Sequence, residues 1–270
     1  MSTPPGSPRR VFRKAHVVST RRPTPHSVLI TLGGEGLKTF ATNGRAEHIK
    51  LFLPPPGELE PVVPTWGPNG PEFPPDKPRP LSRTYTPRRW NPETCELEVH
   101  IMTHSGGPGA SWAQNAKPGD PVVVAGPGRP YKPVDGAAWH MIAGDESALP
   151  AIATILESLA EGERAIVFVE VADEQERVPL ETKADARITW LPREGQAWNV
   201  PGDLLVQAIR SVELPAGPGA VWIGCEAGQM REIKKHLLYE RGIPREAMCT
   251  RGYWKLGVAN HPDHDMGDDV

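Results

Sequence analysis

The residues best suited to chemistry form a short run, Arg83-Thr84-Tyr85-Thr86-Pro87-Arg88, preceded by Pro80-Leu81-Ser82. If the run is extended, alternate side chains share a face. Arg83, Tyr85 and Pro87 then lie on one side, and Thr84, Thr86 and Arg88 on the other. An aromatic ring to stack on, hydroxyls beside it and cations for a pyrophosphate are the groups that a flavin requires. An ordinary edge strand with exposed arginines has the same composition. A second run, His104-Ser105-Gly106-Gly107-Pro108-Gly109-Ala110-Ser111-Trp112-Ala113, supplies glycines that allow backbone to approach a phosphate, followed by a helix start with free N–H groups. The reading places that start at Ser111 and the helix end near Lys117-Pro118-Gly119. A plain glycine turn with an N-cap is the alternative.

Two further candidates lie in the second half. Ala143-Gly144-Asp145-Glu146-Ser147-Ala148-Leu149-Pro150 follows an apolar strand and precedes a helical run, where open α/β sheets bind ligands. Its acidic pair could equally be a helix cap. Trp222-Ile223-Gly224-Cys225-Glu226 occupies the comparable place after a later strand, with Cys225 read as a packing residue. No Gly-x-Gly-x-x-Gly fingerprint follows a strand, so no standard dinucleotide motif is present. Near the C-terminus stands Arg251-Gly252-Tyr253-Trp254-Lys255-Leu256-Gly257. Lys255 could meet an anionic ligand as a point charge, or be a solvated lysine beside a packed aromatic pair. His100 and His104 are four apart but fall on strand and loop, so they share no helix face. The His261-to-Asp265 stretch could bind a metal by composition, but reads as a mobile acidic tail. No Gly-x-Ser-x-Gly elbow surrounds Ser147, and no catalytic triad is visible.

The elements that must position these residues change character along the chain. Short strands are expected over Val11–Val18, Ser27–Leu32, His48–Leu53, Glu96–Thr103 and Pro121–Ala125, punctuated by Pro and Gly. A Pro-rich stretch from Pro54 to Pro80 reads as a long surface loop inside the first domain, because strand-like sequence resumes after it. From Trp139 onward strands and helices alternate: strand to Ala143, helix Ala148–Ala160, strand Ala165–Val171, strand Arg187–Leu191, helix Gly202–Val212, strand Ala220–Gly224, helix Gln229–Arg241, strand Met248–Tyr253. This is the pattern of a parallel α/β sheet. The expected layout is a β-barrel domain over 1–134 and an α/β domain over 135–270.

Composition narrows the class. The 270 residues are 38% hydrophobic with a net charge of -3, enough for two cores and without the basic excess of a nucleic-acid binder. Cys95, Cys225 and Cys249 lack zinc or iron–sulfur spacing. The first ten residues carry no apolar signal-peptide core, and no run is apolar enough for a membrane span. A cytoplasmic monomer with no nucleic-acid partner, no resident metal and no stable membrane insertion is expected.

Arg-x-Tyr-Thr-x-Arg in a barrel ahead of an α/β domain resembles the ferredoxin–NADP reductase superfamily. The His104-to-Ala113 run resembles the His-x-x-x-Gly-Pro-Ala-Ser-x-Trp-Ala segment of siderophore-interacting proteins, although Gly109 here separates Pro108 from Ala110 and Trp112 directly follows Ser111. Gly144-Asp145-Glu146-Ser147-Ala148-Leu149-Pro150-Ala151 is similar to that family's Gly-Asp-Glu-Thr-Ala-Leu-Pro-Ala, with Ser147 for Thr. Gly252-Tyr253-Trp254-Lys255 is similar to its Gly-Tyr-Trp-Arg/Lys ending. The resemblance spans about Val11 to Asp265. It implies an antiparallel Greek-key FAD-binding barrel followed by a parallel-sheet nicotinamide-binding domain whose C-terminal segment returns to the flavin. It also implies reduction of Fe(III) in a ferric siderophore with electrons from NADH or NADPH. On that reading Arg83, Thr84, Tyr85, Thr86, Arg88, His104, Gly106, Gly107, Ala110, Ser111 and Trp112 bind FAD, with Tyr85 stacked on the ring system and Thr86 near N5. Asp145, Glu146, Ser147, Glu226, Tyr253 and Trp254 serve the cofactors from the second domain, and Lys255 and Arg251 face the siderophore. Arg164, Arg177, Lys183 and Arg193 are the candidates for a 2′-phosphate. A flavin reductase with another acceptor, or a siderophore-binding module without turnover, would share most of these features.

Overall fold

The computed structural model describes residues 11–42, 44–55, 57–68, 70–103, 107–194, 202–262 and 264–270. The chain forms two compact units: 1–23, 27–43 and 47–130 in the first; 24–26, 44–46 and 131–270 in the second.

The first unit contains β1 (Phe12–Arg21), β2 (Ser27–Gly33), β3 (Ile49–Leu53), a ribbon of β4 (Thr65–Gly67) and β5 (Gly70–Glu72), then β6 (Leu81–Tyr85), β7 (Pro87–Asn91), β8 (Glu96–Met102), helix α1 (Pro108–Asn115) and β9 (Pro121–Ala125). Seven strands pair in the order β6-β3-β9-β1-β2-β8-β7, every pairing antiparallel. β6 and β7 stand at opposite ends of this order, yet Thr86 alone separates them in the chain. Two Cα–Cα steps span at most about 7 Å, so the sheet must curl until its ends meet, which makes the Greek-key barrel. The inward residues fill it. Leu97, Val99 and Ile101 alternate along β8 as expected, and join Val17, Ile30, Leu32, Ile49, Leu51, Leu53, Val122 and Val124 in a buried core.

The Pro-rich stretch departs from the expected bare loop. It lies within the first unit and contains the β4–β5 ribbon. The ribbon is held by aromatic contacts: Trp66 meets Phe12 at 5.7 Å, and Phe73 meets Phe52 at 6.4 Å. A short antiparallel ribbon outside the main sheet tolerates Pro71, since no central ladder needs its missing N–H.

The second unit runs β10 (Trp139–Asp145), α2 (Leu149–Ser158), β11 (Arg164–Val171), β12 (Asp185–Pro192), α3 (Leu204–Ser211), β13 (Gly219–Glu226), α4 (Ala227–Lys235, extended by a π turn His236–Glu240) and β14 (Met248–Trp254). The five strands are parallel in the order β12-β11-β10-β13-β14. Both faces are covered, so the central strands read as continuous apolar runs. Ile152, Ile155, Leu156, Val167, Val169 and Trp222 form one core layer. Met141, Phe168, Leu205, Ile209, Val221, Ile223, Met230 and Ile233 form the other. The strand order reverses between β10 and β13, and the carboxyl ends of that pair carry Asp145 and Glu226. Gly144 lets the turn close there: a Cβ on it would stand 2.8 Å from Ala148 Cβ.

The acidic tail is docked rather than mobile. Arg231 pairs with Asp265 (2.8 Å) and Asp269 (2.9 Å), and Lys234 Nζ donates to the carbonyls of Met266 (2.9 Å) and Gly267 (2.7 Å). Gly252 N–H, on the outer edge of β14, donates to Asp265 O at 2.9 Å. The cations that hold the tail lie on α4, some thirty residues upstream, so local sequence gave no sign of them.

Candidate functional site

In the barrel unit the two N-terminal runs come together. Arg83 and Tyr85 lie on β6, opposite Leu51 and Ile49 of β3. Thr84 is on the other face, where Lys50 Nζ donates to its Oγ1 at 3.2 Å. The strand ends at Tyr85 and a new one starts at Pro87, so the expected single extended face breaks at Thr86, which is buried. Arg88 follows at a register shift in β7. Tyr85 packs against the barrel core, and burial pushes its phenol up to about 12, against the pull of Arg83. It therefore stays neutral and can offer a ring face.

Helix α1 begins at Pro108, three residues before the expected start at Ser111. Proline suits the first helical position, because its fixed φ is already helical and its missing N–H has no helical role there. Ser111 N–H donates to Gly107 O at 2.8 Å. The N–H groups without an intrahelical partner are thus those of Gly107, Gly109 and Ala110. This helix start lies against the β6 pair: a Cβ on Gly109 would be 2.5 Å from Tyr85 Oη and 3.1 Å from Arg83 Cγ. Trp112 packs on the core beside buried Ala113. His104 and Gly106 lie outside the described residues.

His100 was discounted by sequence reasoning and is the residue that reasoning missed. It is buried on β8, and its Nε2 has no hydrogen-bond partner among the described residues. Burial, then Arg88 and Arg21, push its imidazole down to about 4. A buried ring nitrogen flanked by Arg88 and Arg21, and separately a helix start with open N–H groups against Arg83 and Tyr85, are environments that a ligand with anionic and hydrogen-bonding groups would complete. The residues present thus fit a flavin dinucleotide. No sequence signal set His100 apart from Glu96 and Glu98 on the same polar face.

In the second unit, the carboxyl ends of β10, β13 and β14 meet through Asp145. Ser147 N–H (2.9 Å) and Ser147 Oγ donate to its Oδ1. Glu226 N–H (3.0 Å) and Trp254 Nε1 (2.8 Å) donate to its Oδ2. Burial, then the negative charge of Glu146, pushes this carboxyl up to about 7. Glu226 is the cap of α4: its Oε2 accepts from Gly228 N–H (2.5 Å) and Gln229 N–H (3.0 Å), and its Oε1 from Leu256 N–H (3.2 Å). A register shift puts Trp254 rather than Tyr253 opposite Glu226, and Tyr253 instead meets Trp222 edge-on at 6.1 Å. Lys255 stands exposed in the turn beyond β14. Cys225 is fully buried, and burial holds its thiol well above the usual range, as a packing residue requires.

Glu146 turns away from Asp145 to a buried ion pair. Arg193 pairs with Glu146 and, at 3.1 Å, with Glu170. Burial alone would lower the guanidinium, and the two carboxylates more than offset it. Glu170 Oε2 also accepts from Leu205 N–H at the start of α3 (2.9 Å). Arg193 is therefore not open to a 2′-phosphate. Arg177 is paired with Glu174 at 2.5 Å. Arg164 and Lys183 lie at or before the amino ends of β11 and β12, opposite to where α/β sheets bind ligands.

An antiparallel barrel followed by a doubly covered parallel sheet is the fold of the ferredoxin reductase in carbazole 1,9a-dioxygenase, which is similar with a TM-score of 0.63 and 16% identity over 90% of this chain and 69% of that one. Residues 16–131 match the family model for the siderophore-interacting FAD-binding domain, and residues 137–257 match that for siderophore-interacting protein. The chain belongs to the siderophore-interacting protein family. The crystal structure of a siderophore utilization protein from T. fusca is similar with a TM-score of 0.85 and 36% identity, covering 94% of this chain and 97% of that one. Ferric vibriobactin reductase ViuB of Vibrio cholerae is 31% identical over 87% of this chain and 86% of its own length. The NADPH-dependent ferric-chelate reductase of Escherichia coli K12 is 30% identical over 94% of this chain and 99% of its own. Among the described residues no helix is long and apolar enough to cross a membrane.

Proposed function

We propose that the protein is a FAD-dependent reductase that carries electrons from NADH or NADPH to Fe(III) in a ferric siderophore. The observation that carries the reading is the convergence of Arg83, Tyr85 and the open start of α1 around Gly109. Arg83 and the N–H groups of Gly107, Gly109 and Ala110 are suited to a pyrophosphate, combining a cation with fixed donors. Tyr85 offers its ring to the flavin, with Thr84, Thr86, Arg88, His104, Gly106, Ser111 and Trp112 completing the site. When bound, a flavin accepts the nicotinamide's two electrons together and releases them singly, which iron requires.

The nicotinamide nucleotide belongs at the β10–β13 reversal, with Glu146, Ser147, Glu226, Tyr253 and Trp254 as its proposed contacts. Asp145 and Glu226 hold that surface rigid by using their oxygens on backbone and indole N–H groups. Lys255, with Arg251 behind it, attracts the anionic oxygen donors of the siderophore, and loss of charge on iron weakens those donors' grip. The working protein is a cytoplasmic monomer, with the barrel domain over 1–134 and the nicotinamide domain over 135–270.

An anaerobic stopped-flow experiment on the purified holoprotein tests this. NADH or NADPH is added, then a panel of ferric siderophores with a ferrous trap. Flavin bleaching followed by reoxidation with stoichiometric Fe(II) supports the reading and names the donor. Bleaching without iron reduction would move the function to another acceptor. A protein that binds no FAD would reduce it to a siderophore-binding module.

A further inference from the structure

Asp145 ends β10 at the strand-order reversal and is 2% exposed. Both of its oxygens are occupied, Oδ1 by Ser147 and Oδ2 by Glu226 N–H and Trp254 Nε1. A buried carboxylate with both oxygens taken has nothing to offer a ligand. It does offer rigidity. Glu226 N–H and Trp254 Nε1 share Oδ2, so one atom ties the end of β13 to the side chain that ends β14. The indole needs such an anchor. Trp254 is half-buried, sits at a register shift, and is followed by an exposed turn. Leu256, two residues on, is held by the second buried carboxylate, Glu226. Without the bond to Oδ2, the ring would be free to rotate about χ1 and χ2.

We infer that Asp145 is a positioning residue for the nicotinamide surface: it touches no ligand, and fixes the Trp254 indole by accepting its N–H. This rests on the reading that Trp254 lines that surface.

The groups facing Asp145 are Glu146 on its own turn, Glu170 of β11, Arg193 beyond β12, and Cys225 and Glu226 of β13. Arg193 is committed to Glu146 and Glu170, so no cation is paired with Asp145 among the described residues. Its charge therefore changes near neutral pH. A protonated carboxyl is the weaker acceptor, so the indole is held less firmly as pH falls.

The test uses the holoprotein and two readouts that need no turnover. The first is the indole region of a proton–nitrogen NMR spectrum, where the chain's eight tryptophans report separately. The resonance lost in Trp254→Phe should move upfield in Asp145→Asn, and in the unchanged protein it should titrate between about pH 6 and 8. The second is calorimetric affinity for NAD+ and NADP+. Trp254→Phe keeps an aromatic ring but removes the N–H that Asp145 anchors, and should weaken the preferred nucleotide on the order of tenfold, the usual weight of a bond to a charged group. Asp145→Asn should weaken it similarly alone and add little in the Trp254→Phe background. Additive losses, or an indole signal indifferent to Asp145 and pH, would overturn the positioning role. A responsive indole with unchanged affinity in Trp254→Phe would overturn it differently, by removing Trp254 from the nucleotide surface. Because Trp254→Phe leaves the carboxylate intact, the pH titration and the affinity loss remain decisive if Asp145→Asn fails to fold.

Discussion

Arg193→Met is expected to be among the most damaging single substitutions in the second unit. The Arg193 side chain is 2% exposed and bridges Glu170, 1% exposed, and Glu146, 17% exposed. Methionine fills similar volume, so the cost is electrostatic: two carboxylates lose their counter-charge in a dry site. Breaking a buried pair in this way costs about 3–5 kcal/mol. Glu146 reaches some water, which places the expected loss near the lower end, about 3 kcal/mol. For a unit of this size that corresponds to a fall in Tm of roughly 10 °C. The loss should also depend on pH. An uncompensated Glu170 would have its folded pKa raised above the unfolded value of about 4.3. The folded state then binds the extra proton, so the variant is most stable at low pH and loses stability as pH rises. Glu170→Gln in the same background removes the stranded charge and should recover part of the loss, although Leu205 N–H keeps only a neutral acceptor. Calorimetric or fluorescence-detected melts at pH 5, 6, 7 and 8 measure all of this. A loss below about 1 kcal/mol, or one that does not change with pH, would refute the claim that Arg193 neutralises a buried acidic pair.

Gly109→Ala places a methyl 2.5 Å from Tyr85 Oη and should lower FAD affinity at least about tenfold while leaving the barrel core folded, as read from the flavin-to-protein absorbance ratio after dialysis. Asp145 has a folded pKa of about 7 against 3.8 when unperturbed, so its contribution to stability is full below pH 4 and is lost as pH rises to about 7. Asp145→Asn should flatten that part of the stability–pH curve in urea titrations. Arg231→Ala frees Asp265 and Asp269, and should cost about 1–2 kcal/mol in view of its partial exposure, with faster hydrogen exchange at Gly252 and earlier proteolysis of the tail.

The sequence alone determined what depends on local pattern. The alternation of Leu97, Val99 and Ile101 fixed which side of β8 faces the core, and the apolar runs of β10, β11 and β13 fixed a sheet covered on both faces. The Arg83–Arg88 and Gly107–Ala110 runs are legible as candidates, since glycines and a helix start carry their chemistry in their own backbone, and the fold brings the two together around Gly109. Side chains whose role depends on distant partners were decided by tertiary structure. Arg193 looked like a loose cation, and the fold buries it between Glu146 and Glu170. Asp145 reads in the sequence as a cofactor contact, and the meeting of β10, β13 and β14 decides that its oxygens accept from Ser147, Glu226 and Trp254. His100 looked like one more polar residue on an alternating strand, and the fold buries it with the charges of Arg88 and Arg21 acting on it. The acidic tail read as loose because its anchors on α4 are remote in sequence. Periodicity and backbone chemistry are local properties of a chain, whereas burial of charge depends on which segments the topology brings together.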